Sequence, residues 1–134
     1  MDIKQAKSVS TREDKGTLVH LKDECGVKMY DETDQTKPVA ITVAGSYSVR
    51  AKRAMEAARD ARSGRIGHLD GEEAFAFNLE VLAACILDWQ GFTADGQPFP
   101  FTRDNAIALL RDVPWIREQV QTAHNDHALF SKAS

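Results

Sequence analysis

The stretch 70–90, DGEEAFAFNLEVLAACILDWQ, decides how the chain is read. Asp70-Gly71-Glu72-Glu73 has the form of a capping box, with Asp70 accepting at a helix start and Glu73 reaching back. Phe75, Leu79, Leu82, Ile86 and Trp89 follow at intervals of four, three, four and three, and Phe77, Val81 and Cys85 make a second row. A helix apolar on most of its circumference belongs in a core or an interface. The pattern therefore predicts a central helix that runs on through Trp89.

Downstream, Gln90 to Phe101 reads as a loop, because Asp95-Gly96 is a turn signal and Pro98 and Pro100 forbid regular helix. Thr102 can cap a helix presenting Ala106, Ile107, Leu109 and Leu110. Pro114 suits the first turn of a last helix carrying Trp115, Ile116, Val120 and Ala123. Upstream, Ser46 or Ser48 can cap a helix running to about Arg62, ended by Gly64 and Gly67. Before it, segments 17–21, 27–30 and 39–43 are β-rich, and residues 1–16 are polar without an apolar period. The expected architecture is α+β and mainly α. A small N-terminal β-element of two or three strands (17–45) precedes a bundle of about four helices (46–130). Residues 1–16 are expected to form a flexible arm and 17–134 a single domain.

Composition narrows the function. The chain has 134 residues, 43 % hydrophobic and 28 % charged, with a formal net charge of −3, so no global attraction to nucleic acid or an anionic membrane is expected. The start lacks the apolar core of a signal peptide, and the run Val81–Leu87 is too short to span a bilayer, so a soluble, cytoplasmic protein is expected. Cys25 and Cys85 form no Cys-x-x-Cys motif. Cys25 has the acidic neighbours Asp23 and Glu24, and Cys85 lies in an apolar run, so neither is expected to be an activated thiol. No Gly-x-Ser-x-Gly, P-loop or Gly-x-Gly-x-x-Gly is present. His124 and His127 could share a helix face, but two ligands do not make a zinc site; they are read as surface histidines, and His20 and His68 as isolated. No catalytic residue, metal or cofactor is expected.

Two features suggest contacts with another chain. Between Val49 and Arg65 stand Arg50, Lys52, Arg53, Arg59, Arg62 and Arg65 against Glu56 and Asp60; Arg50, Arg53, Arg59 and Arg62 form the candidate basic patch. No aromatic residues interleave with them, so a single-strand platform is not expected. The second is the crowding of Trp89, Phe92, Phe99 and Phe101 into thirteen residues of a chain only 7 % aromatic. They could fold back as a lid on the core or form an adhesive patch, since aromatic rings dominate interface energetics. With Leu109 and Trp115 they make the candidate partner-binding set.

The segment Ala84-Cys85-Ile86-Leu87-Asp88-Trp89-Gln90-Gly91-Phe92, with Asp95-Gly96-Gln97-Pro98-Phe99-Pro100-Phe101-Thr102-Arg103-Asp104-Asn105, resembles the tail assembly chaperones of tailed bacteriophages. Ala106–Leu110 and Val113-Pro114-Trp115-Ile116-Arg117-Glu118-Gln119-Val120 continue the likeness, and Val39–Arg53 is similar to the family's β-then-helix entry. It spans about residues 37–130 and is most specific from Trp89 to Leu110. The resemblance implies a non-enzymatic phage or prophage protein of the host bacterial cytoplasm that keeps the tape-measure protein soluble and assists tail-tube assembly. It implies the tape-measure protein as partner, with the tail-tube protein and a second copy of the chain as further candidates. Some members carry a frameshifted C-terminal extension, and a chain ending at Ser134 corresponds to the short form. The alternatives are a tail or connector component retained in the virion, and a small phage regulator that binds a host protein.

Overall fold

The computed structural model describes residues 1–62 and 69–131. The predicted helix end at Gly64 and Gly67, together with Arg65 and His68, lies outside the described residues. Among those described, six helices and a small β-element make a mainly helical α+β fold: α1 (Ile3–Lys15), β1 (Thr17–His20), β2 (Ala40–Val43), α2 (Val49–Ala61), α3 (Gly71–Ala84), β3 (Ile86–Gln90), β4 (Thr93–Ala94), β5 (Gln97–Pro98), α4 (Arg103–Asp112), α5 (Pro114–Asn125) and α6 (His127–Ser131).

The predicted helix starts stand where local chemistry puts them. Ser48 caps α2 by accepting from Ala51 N–H, Asp70 caps α3 by accepting from Glu73 N–H, Thr102 caps α4 by accepting from Asn105 N–H, and Pro114 opens α5.

The central helix is shorter than its spacing predicts. It stops at Ala84, and Ile86–Gln90 is a strand antiparallel to β2 in a sheet ordered β1-β2-β3. The pairing is Ile41 with Trp89 and Thr42 with Asp88, and then Val43 with Ile86, so Leu87 is an extra residue in β3. Such a bulge resets the two-residue alternation of a strand. Ile86 and Trp89, three apart, thereby both join the buried face alongside Ile41 and Val43, which reproduces the spacing of a helix. The predicted third strand at 27–30 makes only two isolated bridges, Lys22 with Lys28 and Tyr30 with Pro38. The third strand of the sheet comes from beyond α3.

One face of the sheet packs under the helices. Ile41, Val43, Ile86 and Trp89 meet Leu79 and Leu82 of α3, Ala106 and Leu110 of α4, and Ile116, Val120 and Ala123 of α5 in one core. The other face carries Leu18, Thr42 and Asp88, in register across the three strands.

The expected flexible arm is a helix. Asp2 caps α1, and Arg12 and Lys15 stand in its last turn. It carries no apolar stripe long enough to announce itself; the group it buries is a carboxylate. Glu13 is 1 % exposed. One of its oxygens accepts from Tyr47 N–H at 2.9 Å and the other from His127 Nδ1–H at 2.7 Å, and its backbone carbonyl accepts from Gly45 N–H at 3.0 Å. Its neighbour Asp14 accepts from the N–H groups of Val49 and Arg50 and so satisfies the open end of α2. A Cβ at Gly45 would overlap the Glu13 carboxylate. Gly45→Ala is therefore expected to lower stability by about 1–3 kcal/mol through overpacking. In Glu13→Ala protein the same substitution should cost much less, a coupling measurable by urea unfolding of the double-mutant cycle.

Candidate functional site

The helices leave an open groove along α3. On one side it is walled by the 46–49 turn and α2, through Tyr47, Val49, Lys52 and Met55, with Phe77 beneath, and encloses about 570 Å³. On the other it runs between α3 and α5, past Phe75 and Arg117, with a further 340 Å³ or so. Asn78, Leu82 and Gln121 line both parts, so the two halves adjoin. Tyr47, Val49, Met55 and Phe75 are all exposed large hydrophobic residues.

Arginines sit on the apolar groups of this groove. The Arg117 guanidinium lies 5.0 Å from the centre of the Phe75 ring, Arg62 lies 5.3 Å from that of Phe77, and Arg59 donates to the Met55 sulfur at 3.5 Å. The predicted basic patch is thus partly occupied by its own fold. Arg62 makes a two-pronged ion pair with Glu80, at 2.8 and 3.0 Å, which fastens the end of α2 to α3. That pairing holds the Glu80 carboxyl below its ordinary range. Arg50 donates to the Ala84 carbonyl at the end of α3, and Arg53 is exposed.

The aromatic residues of the partner-binding set meet one another. Trp89, 8 % exposed, holds Phe92 and Phe101 edge-on at 5.2 Å and stacks with Phe99 at 5.6 Å. Its indole N–H donates to the Phe99 carbonyl at 3.0 Å. The fold-back follows from the β4–β5 hairpin: Asp95 and Gly96 both have positive φ, as a two-residue Asp-Gly turn of this kind requires. After it, Asn105 donates its side-chain amide to the Pro100 carbonyl while its own N–H is capped by Thr102. The Thr-x-x-Asn spacing that carries part of the resemblance is therefore a helix-start device. Leu109 packs partly buried against the core, whereas Trp115 is exposed beside Val19 and Lys22 in a shallow depression.

The histidines are not the expected surface pair. His124 is buried, and its Nδ1–H donates to the Ala44 carbonyl at 2.7 Å. His127 donates to Glu13 and stacks on Tyr47, with ring centres 3.8 Å apart. Among the described residues no group of three His, Cys, Asp or Glu is arranged to hold a metal ion. Burial pushes the Cys85 thiol up to about 11, while Cys25 is exposed. No described helix is long and apolar enough to cross a membrane.

An α+β fold built around a caged tryptophan, with an open groove of mixed apolar and polar lining along its central helix, is the class these observations define. Residues 42–134 match the model of the YdaY prophage protein family, and the chain belongs to that family. The match takes in the last two residues of β2, the groove residues from Ser46 onward and the aromatic hairpin, and leaves out α1 and β1. No curated protein and no solved structure matches the chain.

Two outcomes follow for the site. Trp89→Ala should lower stability by about 3–5 kcal/mol in denaturant unfolding, because it empties the centre of the ring cluster. The second concerns His124, whose pKa is depressed chiefly by burial, with Glu13 and the Ala44 carbonyl opposing and His127 assisting. Between that lowered value and the ordinary histidine value of 6.5 the unfolded chain takes up a proton that the native state refuses. Stability from this group is therefore lost on acidification through that window. Urea unfolding at about pH 7.5 and about pH 5.5 should show a smaller difference for His124→Asn, whose amide can still donate to Ala44.

Proposed function

We propose that this prophage protein is a non-enzymatic tail assembly chaperone, acting in the host bacterial cytoplasm on the tape-measure protein while the tail tube assembles. The observation that carries the reading is the groove along α3. Its walls include apolar side chains left exposed at three places, Tyr47 before α2, Met55 on α2 and Phe75 on α3, among polar residues such as Asn78 and Gln121. A long helical client would present an apolar stripe of matching kind, and helix-in-groove docking covers such a stripe reversibly. Several copies along one client would hold it by multivalency even if each contact were weak. Membership of a prophage family and the likeness of Trp89–Leu110 to tail assembly chaperones support the same reading.

The groove, more than the aromatic loop, is the surface we assign to the client. The rings of Trp89, Phe92, Phe99 and Phe101 cover one another, whereas Met55 and Phe75 have apolar surface still to bury. Co-expression with the tape-measure protein of the same prophage should keep that protein soluble and yield a complex that survives purification. Met55→Glu with Phe75→Glu should cut the recovered complex by about tenfold, which corresponds to about 1.4 kcal/mol, with thermal unfolding unchanged. A client that stays insoluble with the parent chain would sink the reading. Undiminished complex with the double variant would remove the groove from it.

A further inference from the structure

Two arginines lie on rings of the groove, and only one of them is neutralised. Arg62, on Phe77, has the Glu80 carboxylate at 2.8 Å. Arg117, on Phe75, has no carboxylate in ion-pair contact among the described residues. Its head is nevertheless fixed. Nη1 donates to the Leu110 carbonyl at 2.9 Å and to that of Arg111 at 3.5 Å, both in the last turn of α4. The side chain is half-buried, and its Nε and Nη2 are left without a protein acceptor among the described residues. A cation drawn partly out of water and left unpaired is costly, and an arriving carboxylate would relieve that cost.

The other wall repeats the pattern. Lys52 is the one Lys, Arg, Asp or Glu on the described lining between α2 and α3, and it too has no ion-pair partner there. Glu56, one turn further along α2, does not pair with it. On the α5 side the one acid is Glu118, which is exposed and borders the depression beside Trp115 as well. Between the two cations run Leu79, Leu82 and the Phe75 ring. An apolar floor with an unpaired cation on each wall is the complement of a helix whose apolar stripe has a carboxylate on each flank.

We infer that the groove selects amphipathic helices with Asp or Glu on both flanks of the apolar stripe, Arg117 and Lys52 being the carboxylate receptors. This rests on the docking of a client helix in the groove and adds the charge which that helix must carry. The open edge of Arg117, Nε with Nη2, is the one that can grip a carboxylate with two parallel bonds. The chain as a whole has a formal net charge of −3, so its overall field favours a basic helix. A preference for an acidic one therefore has to come from the local receptors.

The test is calorimetric titration of the full chain with three end-blocked helical peptides of about 20 residues, roughly 30 Å long. They share one stripe of Leu and Ala and carry Glu, Gln or Lys on both flanks, residues of nearly equal helix propensity. With about threefold from each ion pair, the Glu peptide should bind about tenfold tighter than the Gln peptide, and the Lys peptide most weakly. Lys52→Gln, whose side chain makes no bond within the described fold, should reduce the Glu-over-Gln ratio to about threefold without changing the affinity for the Gln peptide. Arg117→Gln should reduce the ratio similarly, measured on protein whose circular dichroism matches the parent. Equal binding of the three peptides, tightest binding of the Lys peptide, or a full Glu preference in either variant would overturn the charge assignment and leave the groove as a helix site. No binding of any peptide would overturn both.

Discussion

The carboxylate of Glu13 reaches into the protein and finds two donors waiting, the Tyr47 N–H and the His127 ring. An ionised group in that position would cost several kcal/mol if left unpaired, so its placement is tolerated only when every donor is in register. The donors belong to the turn before α2 and to the start of α6, far apart in sequence. One side chain thus fixes where the N-terminal helix, the strand exit at Ala44–Gly45 and the C-terminal helices stand relative to one another. Gly45 has no side chain because the carboxylate fills that space. His124 and Asp14 extend the same joint, one by holding the Ala44 carbonyl and the other by closing the N-terminus of α2.

The groove depends on this joint. Tyr47, which forms part of its wall, offers its N–H to Glu13 and its ring to His127, so its exposed edge is presented from a fixed base. The Trp89 ring cluster is anchored differently, through the bulged strand β3 and the Asp-Gly hairpin. The groove and the cluster are therefore held by separate devices, polar in one case and ring packing in the other.

What could be read from the residues alone follows from how local each cause is. Ser48, Asp70, Thr102 and Pro114 act within a single turn, and the helix starts they mark stand as expected. The strand at 86–90 escaped because its signal depends on a partner: one extra residue at Leu87 turns strand spacing into helix spacing, and only pairing with β2 reveals it. Helix α1 escaped because what it buries is a charge, which no apolar periodicity records. The crowding of Trp89, Phe92, Phe99 and Phe101 pointed to a real cluster, with the rings turned toward each other. The groove had no signal of its own, since Tyr47, Met55, Phe75 and Phe77 come together only when α2 and α3 pack.

The pairing of residue 13 with residue 127 also constrains the order in which the chain can mature. Translation makes Glu13 early and His127 more than a hundred residues later, and the last strand of the sheet, β3, arrives only at residue 90. Until then a nascent chain holds a helix whose buried-to-be carboxylate lacks its His127 partner and two strands lacking their third. Long-range closures of this kind slow folding and concentrate it into one late, cooperative step. The groove walled by Tyr47 would then open for binding only after that step, so no half-made copy could engage a partner with the finished surface.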